Sequence, residues 1–118
     1  MPDASATVSD LREAMRRFVA EREWEPFHSP KNLSMGLAIE TAELMEHFQW
    51  MDNETSRQVG QDAGKRVAIG EEMADVACYL LALANTLNLD LSDAVLDKLQ
   101  KNAQKYPAEE FRGKYAKD

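Results

Sequence analysis

Apolar residues recur at a helical period along most of the chain, and nowhere alternate as a half-buried strand requires. Leu11, Met15, Phe18 and Arg22 return at three- and four-residue intervals, and Thr7 with Asp10 has the form of a capping box, so a first helix is predicted over about 7–24. The stretch Glu25-Pro26-Phe27-His28-Ser29-Pro30 breaks the pattern, because proline lacks the N–H a helix needs and biases its predecessor toward extended geometry. Ser29 as N-cap and Pro30 at the first helical position open a second helix over about 30–50, with Leu33, Leu37, Leu44 and Phe48 among its apolar positions. From Asp52 to Gly64 large apolar residues almost disappear while Asn53, Ser56, Gly60 and Asp62 accumulate, which predicts one long exposed loop.

A third helix is predicted over about 65–88 through Val67, Met73, Val76, Leu80, Leu83, Ala84 and Leu87. Its second half is apolar around most of its circumference, as befits the centre of a bundle or a subunit interface. Asp90 with Asp93 begins a fourth helix that runs to about 105, where Tyr106-Pro107 stops it, and residues 108–118 read as a polar tail. Four helices without strands predict an all-α, antiparallel four-helix bundle, with a short turn making the last two helices antiparallel neighbours.

At 118 residues the chain has the length of a single domain, 1–118, with its core within about 7–107. A formal charge of −7, from 21 acidic against 14 basic residues, argues against duplex nucleic acid and anionic membrane surfaces as partners. A nucleotide ligand would need a bridging cation. Arg12, Arg16 and Arg17 interleave with Glu13 and Glu21 and predict a solvated helix face. Neither a signal peptide nor a membrane span is predicted. Cys78 is the single cysteine and lies in an apolar run, so it reads as a buried small hydrophobe, and a cytoplasmic location is expected.

The chemistry lies in the carboxylates. Glu40, Glu43 and Glu46 fall at i, i+3 and i+6 of an otherwise apolar helix, and Glu72 with Asp75 repeats the three-residue spacing on the next long helix. Anions gathered inside a bundle repel one another and lose hydration unless a cation neutralises them, and an all-oxygen donor set suits Mg²⁺, or Mn²⁺ in its place. Spacing alone leaves a second reading open, in which the acids form the solvated faces of amphipathic helices. A ferritin-like di-iron site would need Glu-x-x-His motifs on helices. The one match, Glu25-Pro26-Phe27-His28, sits in the proline-broken connection, and His47 follows Leu44 at that spacing.

Trp24, His28, Trp50 and Tyr79 offer rings for stacking on a base or for filling a core; Tyr79 lies four residues beyond Asp75 and so shares its face. Lys98, Asn102 and Lys105 form a stripe at i, i+4 and i+7 that can face a phosphate chain or simply solvent.

Taken together the segments Phe18-Val19-Ala20-Glu21-Arg22-Glu23-Trp24, Phe27-His28-Ser29-Pro30-Lys31-Asn32-Leu33, Glu40-x-x-Glu43-Leu44-x-Glu46-x-Phe48-Gln49-Trp50, Glu71-Glu72-Met73-Ala74-Asp75-Val76-x-x-Tyr79-Leu80 and Lys98-x-x-x-Asn102-x-x-Lys105-Tyr106-Pro107 resemble, in order and spacing, the MazG-like all-α nucleoside triphosphate pyrophosphohydrolases, specifically their dCTP pyrophosphatase branch. The resemblance implies Mg²⁺-dependent cleavage between the α and β phosphates, with the monophosphate and pyrophosphate as products. It implies Glu40, Glu43, Glu72 and Asp75 as metal ligands, Trp24, His28 and Trp50 at the base, and Tyr79, Lys98 and Asn102 near the sugar and phosphates. Lys31, Lys105 and Tyr106 are further substrate-binding candidates, and self-association as a dimer or tetramer is implied as well. Two departures stand out: Ala42 replaces a glycine common before the second glutamate, and Met15 stands where some eukaryotic members carry histidine. The second bears on base preference, leaving dCTP as leading substrate among pyrimidine deoxynucleotides. The alternative from another class is a non-enzymatic helical oligomerisation or binding module.

Overall fold

The computed structural model describes residues 1–114, and among them every regular element is helical. Each predicted helix is present, and the first, second and fourth start just after the residue whose side chain was expected to cap them. Helix α1, Val8–Glu21, is opened by the reciprocal Thr7–Asp10 capping box, in which Thr7 Oγ1 accepts from the Asp10 N–H (3.1 Å) and the Thr7 N–H donates to Asp10 Oδ2 (2.9 Å). It ends before the expected residue 24, because Glu23 turns into the left-handed region at φ 51°. A 3₁₀ turn over Glu25–Phe27 follows, and Ser29 then caps α2, Pro30–Glu46, with Pro30 in its first turn.

The predicted loop at 52–64 is corrected. Asp52 accepts from the Thr55 N–H (2.7 Å) and opens a short helix α3, Asn53–Gln58, which runs into a 3₁₀ turn at Val59–Gln61. A side-chain cap satisfies a backbone donor of the first turn, so a segment with no apolar stripe still winds up. Asp62 caps α4, Ala63–Leu87, which continues for 25 residues and ends at Asn88, held in the left-handed conformation that asparagine tolerates better than most residues. No helix of the described residues is long and apolar enough to cross a membrane.

The Cα framework groups into two compact units, Met1–Asn88 and Leu89–Asp118. In the first, α2 lies along α4 and α1 packs on α4. The pairing of α2 with α4 is antiparallel, since Gly36 abuts the Tyr79 ring while Glu40 and Glu43, further along α2, meet Glu72, further back along α4. A Cβ at residue 36 would collide with that ring, so the absence of a side chain there lets the Tyr79 ring lie against α2. Leu33, 1% exposed, with Val19, Leu81, Ala82 and Ala84 forms the buried centre. The second unit holds α5, Leu91–Lys105, capped by Asp90 as predicted, and a short helix α6, Ala108–Phe111, within what was expected to be a plain polar tail; residues 115–118 of that tail lie outside the described range.

The charges of α1 divide in a way the sequence did not predict. Arg16 and Arg17 pair with Glu13 of their own helix at 2.6 and 3.3 Å, and the Arg16 bond holds the Glu13 carboxyl down at about 2. These are exposed pairs of small energetic weight. Arg12, expected on the same solvated face, instead turns inward to α4.

Candidate active site

Two turns of α2 and the facing turns of α4 bring the acids together. Oxygens of Glu40, Glu43 and Glu72 lie within 4.8 Å of one another, which is ligand-to-ligand spacing for a single small cation. Glu40 and Glu72 are half-buried and Glu43 is exposed. The Oε2 atoms of Glu40 and Glu72 are enclosed without any hydrogen-bond partner. An orphaned carboxylate oxygen inside a protein is costly, and among acids alone no donor is available except a shared proton.

Glu40 shows how that cost is met without a cation. Its carboxyl is pushed up to about 7, first by a hydrogen bond with Glu43, then by loss of hydration, then by the charges of Glu43, Asp75 and Glu72. Glu72 shifts in the same direction, chiefly through burial and next through the charges of Glu43 and Asp75, with the His47 imidazole opposing. Both shifts describe a cluster short of positive charge. The donor set, all oxygen and with two enclosed oxygens unsatisfied, fits a hard divalent cation.

Asp75 is exposed and stands outside the tight group of three, yet its charge reaches both Glu40 and Glu72. Its side chain also lines a largely apolar cavity of about 490 Å³. Leu11, Met15 and Phe18 of α1 form one wall, Cys78, Tyr79 and Leu81 of α4 another, and Trp24 and His28 complete it. Trp24 sits edge-on to Phe18 at 5.8 Å between centroids and 6.5 Å from the His28 ring. The volume and ring content suit one flat, partly polar ligand, with an anionic portion extending toward the acids only if a cation lies between.

Of the residues singled out in the sequence, Glu40, Glu43 and Glu72 converge, and Asp75, Trp24, His28 and Tyr79 share the adjoining cavity. Trp50 lies beyond the end of α2, 89% exposed and not in the cavity wall, and Lys31 is exposed in the first turn of α2. Lys98, Asn102, Lys105 and Tyr106 belong to the second unit, where the Lys105 ammonium lies 5.3 Å from the Tyr106 ring centroid. Sequence reasoning used the α1 stripe only to mark a helix and did not identify it as a cavity wall. It read Cys78 as a buried small hydrophobe, whereas the residue is half-buried and lines the cavity, its thiol shifted upward by burial and by Asp75. The signal was available: Asp75, Cys78 and Tyr79 stand at i, i+3 and i+4, so whatever the acid faces the thiol faces too.

Residues 36–117 match the family model described as MazG-like, a stretch that contains all four acids. The chain belongs to the MazG-like family. Its relatives include dCTP pyrophosphatase 1 of Rattus norvegicus, 44% identical over 112 residues, and that of Mus musculus, 40% identical over 111; in each case 94% of this chain and 65% of the relative are covered. The human dCTP pyrophosphatase 1 is 43% identical over 102 residues, 86% of this chain and 60% of the relative. The chain thus spans somewhat less than two thirds of the length of these relatives. Among solved structures it is similar to a pyrophosphatase of Archaeoglobus fulgidus, with 35% identity, a TM-score of 0.76 and coverage of 91% of this chain and 98% of the other. This MazG-like chain therefore shares its helical framework with a pyrophosphatase that it covers almost completely.

Proposed function

We propose that the chain is a divalent-cation-dependent nucleoside triphosphate pyrophosphohydrolase, a single cytoplasmic domain that cleaves between the α and β phosphates of dCTP or a related pyrimidine deoxynucleotide. The observation that carries this reading is the position of Asp75, which belongs electrostatically to the acid cluster and sterically to the ring-lined cavity. A base held by Trp24 and His28 leaves its phosphates on the side of the acids. The names of the rodent and human relatives support dCTP as the substrate.

In this reading Glu40, Glu43, Glu72 and Asp75 hold Mg²⁺, with Mn²⁺ as a substitute. The ion supplies charge neutralisation and orientation of the triphosphate. The chain's own groups do the rest. The cavity walls exclude water from the base, Tyr79 borders the sugar, and a carboxylate of the cluster accepts the proton of the water that adds to the α-phosphorus. The bond from that phosphorus to the bridging oxygen breaks, and pyrophosphate leaves. Lys98, Asn102, Lys105 and Tyr106, with Lys31 and Trp50, are assigned to the substrate on the strength of the family resemblance.

Incubation with Mg²⁺ and each common nucleotide, followed by ion-exchange separation, is expected to give dCMP and pyrophosphate from dCTP. Release of orthophosphate would point to a different hydrolase, and no turnover of any nucleotide would favour the binding module.

Self-association belongs to the same proposal. Met35, Ile39 and Met45 of α2 and Val67 and Met73 of α4 are all more than half exposed, whereas only five of the described residues are buried. Apolar surface of that extent is characteristic of a chain that buries it against another. Sedimentation equilibrium is expected to return two or four times the 13.3 kDa chain mass, and the mass of one chain would overturn the assembly.

A further inference from the structure

Arg12 and Asn85 face one another across α1 and α4. Arg12 Nε donates to Asn85 Oδ1 (2.9 Å), Arg12 Nη2 donates to the Ala84 carbonyl (3.2 Å), and Asn85 Nδ2 donates back to the Arg12 carbonyl (3.0 Å). All three bonds are partly buried and span more than seventy residues of sequence. Two of them end on main-chain oxygens, so they fix one helix backbone against the other rather than tying two mobile side chains. A charged donor in a partly buried setting makes such bonds stronger than neutral surface ones.

The substrate cavity lies between the same two helices. Leu11 and Met15, on either side of Arg12, form its α1 wall, and Asp75, Cys78, Tyr79 and Leu81 its α4 wall. The Thr86 hydroxyl donates to the His28 carbonyl (3.4 Å), so the residue after Asn85 also holds the end of the Trp24–His28 segment. One short stretch of α4, Ala84–Thr86, thereby sets the position of α1 and of the ring segment, while an earlier stretch of the same helix carries Glu72 and Asp75. These hydrogen bonds end on Asn85, on the Arg12 and Ala84 carbonyls and on the His28 carbonyl.

We propose that Arg12 and Asn85 are positioning residues that set the width of the substrate cavity by locking α1 to α4. The inference rests on the function proposed above. Without the lock α1 is free to shift on α4, the cavity loosens around the base, and binding weakens while the acid cluster is left intact. Loss of substrate affinity without loss of turnover is the signature of binding shared by ground and transition states.

The test uses the full chain with Mg²⁺ and dCTP, comparing Asn85→Ala, Arg12→Met and the double variant. Each single change is expected to raise KM about tenfold as the loosened cavity holds the base less well, with kcat within about twofold. The double variant is expected to fall short of the product of the two single effects, because both remove the shared Arg12 Nε–Asn85 Oδ1 bond while each alone leaves one bond to a main-chain oxygen in place. A lock with a merely structural role would lower the melting temperature and leave KM within about twofold, and that result overturns the proposal, as does a multiplicative effect in the double variant. If Asn85→Ala does not fold, Asn85→Ser is read against the same thresholds. If the unmodified chain hydrolyses another nucleotide instead of dCTP, the constants are read on that one. Failure of the unmodified chain to hydrolyse any nucleotide overturns the functional reading and this inference with it, whereas normal turnover with unmoved KM in the variants overturns this inference alone.

Discussion

Glu43→Gln is expected to remove nearly all nucleotide hydrolysis, a loss on the order of a hundredfold or more in kcat, while helical circular dichroism is preserved. Glu43 stands at the centre of the cluster: it is the main cause of the upward shift at Glu40 and, after burial, of that at Glu72. An amide in its place removes one anion and hence much of the pull on the ion. Because Glu43 is exposed, the change empties no cavity, so the fold has no packing reason to fail. Taking away a like charge should in fact relieve the cation-free cluster and bring the Glu40 carboxyl back toward its ordinary range. Asp75→Asn should act similarly on turnover. Retention of normal Mg²⁺-dependent kcat by both variants would sink the site assignment.

Removal of divalent cations should make stability fall as pH rises from about 5.5 to about 8, the reverse of what depressed carboxylates produce. The Glu40 carboxyl titrates near 7 in the folded chain against 4.5 for an ordinary glutamate, so the folded state binds its proton more tightly than the unfolded state does. The resulting stabilisation is complete below about 4.5 and is lost as pH climbs through about 7. Glu72 contributes in the same direction. Glu13 and Asp52, whose carboxyls are depressed by Arg16 and by the Thr55 cap, have the opposite dependence, but their contributions disappear only at more acidic pH, outside this window. Thermal melts in chelator are therefore expected to show a lower melting temperature at pH 8 than at pH 5.5. Added Mg²⁺ should raise it more at pH 8, with proton release on binding near neutrality. A melting temperature in chelator that increases from pH 5.5 to 8 would contradict the shared-proton cluster.

Much of the fold was legible because helix starts are written locally. Thr7, Ser29, Asp90 and their partners three residues on need nothing from the rest of the chain to cap a helix, and all appear where the sequence puts them. Asp52 and Asp62 use the same chemistry, yet the segment between them was read as loop because it has no apolar stripe to mark a face. The four acids were legible as two spaced pairs, and the convergence of Glu40, Glu43 and Glu72 follows from α2 running antiparallel to α4. Arg12 was not. Nothing local separates it from Arg16 and Arg17; what differs is that its face of α1 looks at Asn85, a pairing decided by packing over more than seventy residues. Trp50 shows the converse, a residue marked by its motif whose exposed side chain is not in the cavity wall of its own chain.

Helix α4 is unbroken from Ala63 to Leu87, so Glu72, Asp75 and Asn85 are held at fixed angles to one another about a single axis. Ten residues separate Asp75 from Asn85. An inserted or deleted residue between them would rotate one end against the other by about 100°. It would aim the acids away from α2 or Asn85 away from α1. Side chains along that stretch can be exchanged where packing allows, but its length is fixed by the need to serve two neighbouring helices at once.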